Sequence, residues 1–435
     1  MTPISPSHET KEARERAILI GAPLKQVPDR EVEEHLEELT RLTDTAGVEV
    51  LGALVQRLDS PNPKYFIGEG KVKQVKEMAE EREADLIVFD EELSPAQARN
   101  LENELDIRVV DRTELILGIF ARRARTAEAQ MQVELAQLQY AMPRLKRMWT
   151  HLSRARGGVN MRGPGETQLE TDRRLIGNRI RDLKDKLEVV ARRRATQRKG
   201  RSDEFRVALV GYTNAGKSSI LRALSDSEQF VEDRLFATLD PSTRAVELDG
   251  GMRALVTDTV GFIRKLPHAL VASFRATLEE ARDAEVLLHV LDASHPVWEE
   301  HKEVVESVLA DLDLEDRPVV LVFNKADRLT HDEEKALRQR ALAVYGEEVV
   351  LASAIEEGGL AELRERLRRE ATAQRPEVHL RLSAGDGEAL ATIYREGEVL
   401  GTRQEDTTID VHARLPRAAL GRLSRRAGVE IVGAA

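Results

Sequence analysis

The 435-residue sequence contains no cysteine, which excludes disulfide bonds, thiol catalysis and thiolate metal ligands. It has no run of about 18 apolar residues, so a membrane span is not expected. Residues 1–16 are polar and charged and lack the apolar segment of a secretion signal. The ten histidines are scattered and none has metal-ligand spacing. These absences favour a soluble, cytoplasmic protein.

Charge is distributed unevenly along the chain. The net charge is −11, yet residues 121–200 hold about 20 Lys and Arg against about 8 Asp and Glu, so the remainder carries about −23. A basic segment can hold a polyanion while the acidic remainder repels non-specific contacts. This asymmetry favours a nucleic-acid partner for the basic segment.

Residues 1–120 alternate between two kinds of pattern. Short apolar runs indicate strands, and stretches with helical spacing lie between them. This order predicts a small parallel α/β domain. Within it, Gly68-Glu-Gly-Lys71 places a glycine turn before a helix, where an anion could bind. An ordinary strand-to-helix turn is the favoured interpretation, and a separate ATP site here is an alternative.

Residues 121–202 combine two helical patterns with a glycine-rich loop. Apolar residues recur with 4-3 spacing over residues 131–152 and again over 176–190, which predicts an antiparallel helical hairpin that kinks or breaks at Pro143. The loop at 157–166 has four glycines and a proline. Such a backbone, fringed by arginine, favours contact with RNA over an ordinary connector. The flanking arginines are Arg154, Arg156, Arg173 and Arg174.

The most specific pattern is the loop Gly211-Tyr-Thr-Asn-Ala-Gly-Lys-Ser218, which lies between a strand-like and a helical run. Its glycines let successive amides point at phosphate oxygens, and the following helix adds its positive end. Lys217 can reach the β- and γ-phosphates, and the Ser218 hydroxyl can ligate Mg²⁺. The predicted nucleotide-contacting residues here are Gly211, Tyr212, Thr213, Asn214, Ala215, Gly216, Lys217, Ser218 and Ser219.

Three short motifs follow later strands of the same domain. In Asp258-Thr-Val-Gly261, the strand delivers the Asp258 carboxylate to the metal, usually through water, and Gly261 can turn its amide to the γ-phosphate. In Asn324-Lys325-Ala-Asp327, the Asp327 carboxylate accepts from guanine N1–H and the exocyclic amine, which adenine cannot satisfy. At Ser353-Ala354, a backbone amide meets guanine O6. The motifs predict GTP and GDP as ligands, with Mg²⁺.

The pattern as a whole predicts an α/β fold. A doubly wound P-loop GTPase domain at 203–375 follows the small parallel α/β domain at 1–120 and the helical hairpin at 121–202. Residues 376–435 predict a small α+β domain, to which no chemistry is assigned.

Three further segments make the chain resemble the HflX-type ribosome-associated GTPases, a group within the translation-factor-related GTPases. They are Pro-Lys-Tyr-Phe-Ile-Gly at 63–68, Arg-Gly-Pro-Gly-Glu-Thr-Gln-Leu-Glu-Thr-Asp-Arg-Arg at 162–174 and Phe-Ala-Thr-Leu-Asp at 236–240. The resemblance covers nearly the whole chain. It implies a GTPase that binds the large ribosomal subunit and its RNA and, in some members, splits stalled ribosomes under stress. It also implies that Thr238 is the switch threonine that ligates Mg²⁺ when GTP is bound. We expect a monomer off the ribosome.

Two positions bear on mechanism. Phe262 stands where many GTPases have a glutamine that orients the attacking water. This predicts slow turnover that a partner accelerates, by resemblance the ribosome; alternatively, Phe262 packs under the switch and another residue positions the water. Asn214 resembles the asparagine of related GTPases that use K⁺, and K⁺ dependence stays open. The alternative functions are a GTPase of ribosome assembly or RNA modification, and a nucleotide-regulated scaffold.

Overall fold

The computed structural model describes residues 14–145, 165–198, 204–225, 235–248, 252–267, 270, 281–345, 349–373, 375–405, 407–426 and 428–434. The chain divides into two compact units. One comprises residues 1–124, 130–184 and 267–270, and the other comprises residues 125–129, 185–266 and 271–435.

Four parallel strands form the first sheet, in the order β2-β1-β3-β4. Apolar side chains of the strands and of the helices pack into one buried cluster. The parallel sheet with helices packed on it confirms the predicted parallel α/β arrangement. The residue pattern does not predict α4, because this helix is buried on most of its sides and so lacks a polar stripe. The elements are β1 (Arg16–Gly21), α1 (Asp29–Thr45), β2 (Glu49–Val55), α2 (Glu69–Arg82), β3 (Leu86–Phe89), α3 (Pro95–Leu105), β4 (Arg108–Asp111) and α4 (Arg112–Arg123).

In the described part of the basic segment, two helices follow, α5 (Ala127–Ala141) and α6 (Gly165–Arg198). A 3₁₀ turn, Met142–Arg144, follows α5, which confirms the predicted break at Pro143. The guanidinium of Arg179 on α6 donates two hydrogen bonds of 2.7 Å to the Glu134 carboxylate on α5. Most of the predicted glycine-rich loop lies outside the described residues, as do Trp149, Leu152, Arg154, Arg156 and Arg162.

The second sheet has six strands in the order β10-β9-β8-β5-β7-β6. Only β6 runs antiparallel to its neighbour in this sheet. Apolar clusters cover both faces, as a doubly wound domain requires. Residues 269–282 have helical spacing in the sequence, and most of them lie outside the described residues. The elements are β5 (Phe205–Gly211), α7 (Lys217–Leu224), β6 (Ser242–Leu248), β7 (Met252–Asp258), β8 (Val286–Asp292), α8 (Trp298–Asp311), β9 (Val319–Asn324), α9 (His331–Tyr345), β10 (Val350–Leu351) and α10 (Ala361–Ala373).

The third sheet is antiparallel, in the order β12-β13-β11-β14. Its chain order, strand-helix-strand-strand-helix-strand, is a split βαβ arrangement. This confirms the predicted α+β domain, although the last strand is not predicted. The elements are β11 (Glu377–Ser383), α11 (Gly387–Glu396), β12 (Glu398–Glu405), β13 (Thr408–Arg414), α12 (Arg417–Leu423) and β14 (Val429–Ala434). Across the described ranges, no helix is both long and apolar enough to cross a bilayer.

A histidine lies inside the second sheet. His289, in the middle of β8, is fully buried, and neither ring nitrogen has a hydrogen-bond partner. Burial, reinforced by the positive charges of Lys302 and Lys217, lowers the pKa of His289 to about 3. The unfolded chain takes up this proton near pH 6.5, whereas the folded chain does not. Above pH 6.5 His289 is neutral in both states. Below pH 6.5 protonation stabilises only the unfolded chain, so the free energy of unfolding falls as the pH falls.

We expect the free energy of unfolding to fall by about 2 kcal/mol between pH 7 and pH 5 through His289 alone. Replacement of His289 by Leu should remove this component of the pH dependence. Denaturant titrations of the full chain at both pH values measure it, followed by Trp298 fluorescence in a Trp149→Phe background. The exposed His331 offers a matched control, since His331→Leu should keep the wild-type slope. An H289L variant with that same slope would contradict the assignment.

Candidate nucleotide-binding site

Loops at one edge of the second sheet form the site. The strand order reverses between β5 and β8, because β7 and β6 lie beyond one side of β5, while β8, β9 and β10 lie beyond the other. In open α/β sheets, ligands bind at such a reversal, outside the carboxyl ends of the strands. The predicted nucleotide loops follow β5, β7, β9 and β10, and the structure brings them together at this edge.

The glycine loop joins β5 to α7. Gly216 has a φ of 92°, and a side chain there would collide with the Asn324 amide, so the loop needs glycine at this position. The buried Lys217 amine donates hydrogen bonds to the carbonyl oxygens of Gly211, at 3.0 Å, and Tyr212, at 2.9 Å. This geometry folds the loop around its own lysine.

A cleft of about 420 Å³ opens at the loop. Burial lowers the pKa of the Lys217 amine to about 8. Burial therefore disfavours the protonated form of Lys217, and a negative group placed in the cleft would stabilise it. The cleft is lined by Thr213, Asn214, Gly216, Lys217, Ser218, Ser219, Phe236, Ala237, Thr238, Thr259 and Gly261.

Three side-chain oxygens converge at the cleft from three separate segments. The Ser218 hydroxyl lies 2.7 Å from the Thr238 hydroxyl and donates to Asp258 Oδ2 at 2.5 Å. Asp258 is 2% exposed, and its other oxygen, Oδ1, has no hydrogen-bond partner. Burial raises the pKa of Asp258, while Lys217 and the two hydroxyls oppose that shift.

A cation would satisfy this arrangement. Hydroxyl and carboxylate oxygens are the ligands that Mg²⁺ prefers, and a single carboxylate is typical of magnesium held together with substrate phosphates. The residues present therefore fit the ion, and Ser218, Thr238 and Asp258 would hold it. The residue pattern alone does not single out Thr238. It is grouped with Ser218 and Asp258 because its hydroxyl lies 2.7 Å from that of Ser218.

Phe262 is bonded to the glycine loop through its backbone. Its N–H donates to the Gly211 carbonyl at 3.1 Å, and its carbonyl accepts from the Thr213 N–H at 2.7 Å. Its side chain is 1% exposed, so the ring lies in the interior. At Gly261, an added Cβ would lie 2.9 Å from Thr213 Cα and 3.1 Å from Lys217 Nζ. The close approach of the two loops therefore excludes a side chain at residue 261.

The Tyr212 side chain points away from the cleft. Its ring stacks on His301 of α8, with ring centroids 3.7 Å apart. Its hydroxyl accepts a hydrogen bond of 2.8 Å from the Arg264 backbone N–H. A predicted nucleotide contact at Tyr212 therefore belongs to its main chain, and its ring joins the loop to α8.

The loops after β9 and β10 are joined at the base side of the site. The Ser353 hydroxyl donates to Asp327 Oδ1 at 2.7 Å, and Asn324 Nδ2 donates to the Ala215 carbonyl at 2.9 Å. The Ser353 amide donates to the Gly359 carbonyl at 2.9 Å. Of the predicted pair Ser353 and Ala354, the amide of Ala354 is therefore the one that remains to meet a base oxygen.

Lys325 is held by a residue that the residue pattern did not single out. Its amine lies 2.6 Å from Asp292 Oδ2, and Asp292 Oδ1 accepts from the backbone and hydroxyl of Ser294. Burial would raise the pKa of Asp292, but the ion pair with Lys325 and the Ser294 bonds outweigh it and lower the pKa. Asp292 thus fixes Lys325 beside the base loop. It ends an apolar strand at the same sheet edge, a signal that could have identified it.

Replacement of Asp327 by Asn should invert base preference. Ser353 would keep its bond to the Asn oxygen, so the Asn amine would face the base and meet the xanthine C2 carbonyl. We expect guanine nucleotides to bind about 10- to 100-fold more weakly, the loss of a hydrogen bond to a charged group, and xanthine nucleotides to bind more tightly. Calorimetry with GDP and XDP measures both. Undiminished guanine preference would show that the base is read elsewhere.

Family models match three consecutive parts of the chain. Residues 33–121 match the GTP-binding GTPase N-terminal model, residues 123–201 match the GTP-binding GTPase middle region, and residues 206–325 match the 50S ribosome-binding GTPase model. The resemblance found in the sequence motifs is confirmed by these matches.

Two relatives match over almost their full length. The GTPase HflX of Magnetococcus marinus is 46% identical over 429 residues, which is 97% of this chain and 98% of that protein. The GTPase HflX of Escherichia coli K12 is 41% identical over 421 residues, covering 95% and 97%. A GTP-binding protein from Sulfolobus solfataricus in complex with GDP is similar at 25% identity, with a TM-score of 0.44, over 82% of this chain and 99% of that chain. The chain belongs to the HflX family of GTPases.

Proposed function

We propose that this GTPase is a Mg²⁺-dependent switch that binds the large ribosomal subunit in its GTP state and separates stalled ribosomes under stress. The observation that carries the switch is the position of the Ser218 hydroxyl, which lies 2.7 Å from the Thr238 hydroxyl and 2.5 Å from Asp258 Oδ2. Thr238 would ligate the metal only when GTP is bound, so its position would depend on the presence of the γ-phosphate. GTP would order the loops around Thr238 and Gly261, and hydrolysis would release them.

The basic segment supports a ribosomal partner. Its excess of Lys and Arg over residues 121–200 contrasts with the acidic remainder, and the match at residues 206–325 is to a 50S ribosome-binding GTPase model. We propose that residues 121–202 contact ribosomal RNA together with the α/β domain at 1–120. The GTPase domain spans 203–375 in this proposal, and the domain at 376–435 follows it. The protein is a cytoplasmic monomer when it is not on the ribosome.

Sedimentation tests this proposal. Ribosomes are incubated with the protein and either a non-hydrolysable GTP analogue or GDP, and are then separated on a sucrose gradient. We expect co-sedimentation with the large subunit at least about 10-fold stronger with the analogue, the size of a typical coupling free energy, and conversion of whole ribosomes into subunits.

Three outcomes of this experiment separate the alternatives. Binding to the large subunit without loss of whole ribosomes would favour a role in assembly or RNA modification. Equal effects of analogue and GDP, or full activity of Lys217→Ala, would favour a scaffold. Absence of any ribosome binding would reject the proposal.

Hydrolysis should be slow alone and faster on the ribosome. The buried Phe262 offers no group to the attacking water, so residue 262 does not complete the catalytic apparatus. We expect the large subunit to raise single-turnover GTP hydrolysis about 100-fold or more, the contribution of one positioned catalytic group. Phe262→Leu, which keeps an apolar side chain and the backbone bonds, should leave both rates unchanged. A fall in the stimulated rate alone would assign the ring a catalytic role.

A monovalent cation is the second metal to be tested. Asn214 lies in the lining of the cleft and adopts a φ of 60°, which directs the loop backbone at this point. Turnover compared in K⁺ and Na⁺ at equal ionic strength, with Asn214→Ala alongside, decides whether K⁺ acts at the phosphates.

A further inference from the structure

Asp240 links the segment that carries Thr238 to the start of a helix. Its carboxylate accepts hydrogen bonds from the Arg125 N–H at 3.2 Å, the Thr126 N–H at 3.4 Å and the Thr126 hydroxyl at 2.5 Å. The Thr126 hydroxyl also accepts from the Ala129 N–H at 3.1 Å, as a helix N-cap does. Asp240 therefore sits on the positive end of α5, a helix of 15 residues.

The segment before Asp240 is anchored by apolar side chains. Leu235, Phe236 and Leu239 are each at most 5% exposed. They hold the chain on both sides of Thr238, whose hydroxyl lies 2.7 Å from that of Ser218. The hydrophobic effect is non-directional, so burial of these side chains keeps the segment against the core without fixing its orientation. A directional restraint near Thr238 must come from polar contacts such as those of Asp240.

One residue separates Thr238 from Asp240, so a shift of the Asp240 backbone moves Thr238 as well. Residues 125–129 belong to the same compact unit as the nucleotide loops. We infer that Asp240 and Thr126 are positioning residues of the GTPase reaction, which hold Thr238 at the metal position and make the first turn of α5 part of the switch. This inference rests on the proposed role of Thr238 as the residue that reads the γ-phosphate.

A purely structural role predicts different behaviour. If Asp240 only capped α5, its loss would lower the thermal stability and would leave the ratio of GTP to GDP affinity unchanged. If Asp240 positions Thr238, its loss weakens the GTP state selectively, because GDP lacks the phosphate that brings Thr238 to the metal. The affinity ratio therefore separates the two roles.

The test uses the full chain with Mg²⁺ and fluorescent derivatives of GDP and of a non-hydrolysable GTP analogue. Asp240→Ala should weaken the analogue about 10-fold, the loss of a hydrogen-bonded charge contact, and change GDP less than 2-fold. Thr126→Ala should have a smaller effect in the same direction, and Thr126→Ser should restore wild-type behaviour. The double variant should resemble Asp240→Ala, because both changes break one contact. The exposed Asp316, replaced by Ala, is the matched control.

A second readout follows from the reciprocity of coupling. The analogue should slow hydrogen exchange at the Arg125 and Thr126 amides, and GDP should not. If Asp240→Ala fails to fold, the Thr126 series and this exchange measurement carry the test. An unchanged affinity ratio in the Thr126 or Asp240 variants would overturn the inference.

Thr238→Ala distinguishes failure of the inference from failure of the proposed function. If Thr238→Ala weakens the analogue selectively and Asp240→Ala does not, only the positioning role is rejected. If Thr238→Ala itself affects the analogue and GDP equally, the switch proposal falls, and the role of Asp240 falls with it.

Discussion

A buried carboxylate with one unsatisfied oxygen is the constraint around which the site is built. Asp258 is 2% exposed, and only its Oδ2 receives the Ser218 hydroxyl. An isolated buried charge is strongly unfavourable unless it is paired or coordinates a metal. A cation at this position would stabilise the ionised carboxylate, and Mg²⁺ that arrives with a triphosphate would supply it. Lys217 is buried as well, and a phosphate would stabilise its protonated amine in the same way.

Neighbouring loops are fastened to one another so that these two charges stay in place. The Phe262 backbone bonds Gly211 and Thr213, Asn324 bonds the glycine loop, and Ser353 bonds Asp327. Each bond joins segments that follow different strands. These bonds hold the glycine loop and the loops after β9 and β10 together, which favours nucleotide affinity through preorganisation of that part of the site.

Local chemistry was predictable from the sequence, and long-range contacts were not. The glycine loop, Asp258 and Asp327 follow strands whose apolar runs mark them, so their place at one sheet edge follows from the order of elements. The ring of Tyr212 is different, because a residue in a phosphate loop gives no indication that it stacks on His301. The bonds between Asp240 and Thr126 join residues 114 positions apart, and no local pattern specifies such a pair. Helix α4 was not predicted, because burial on most of its sides removes the apolar–polar periodicity of its sequence.

The third sheet is completed late along the chain. β14 pairs with β11, the first strand of that domain, and covers one of its edges. Until residues 429–434 are available, β11 presents unpaired amides beside the apolar side chains of Val378, Leu380 and Leu382. Such an edge is a template for pairing with other polypeptides. Removal of residues 429–434 would therefore expose this edge of β11 to pairing with other polypeptides.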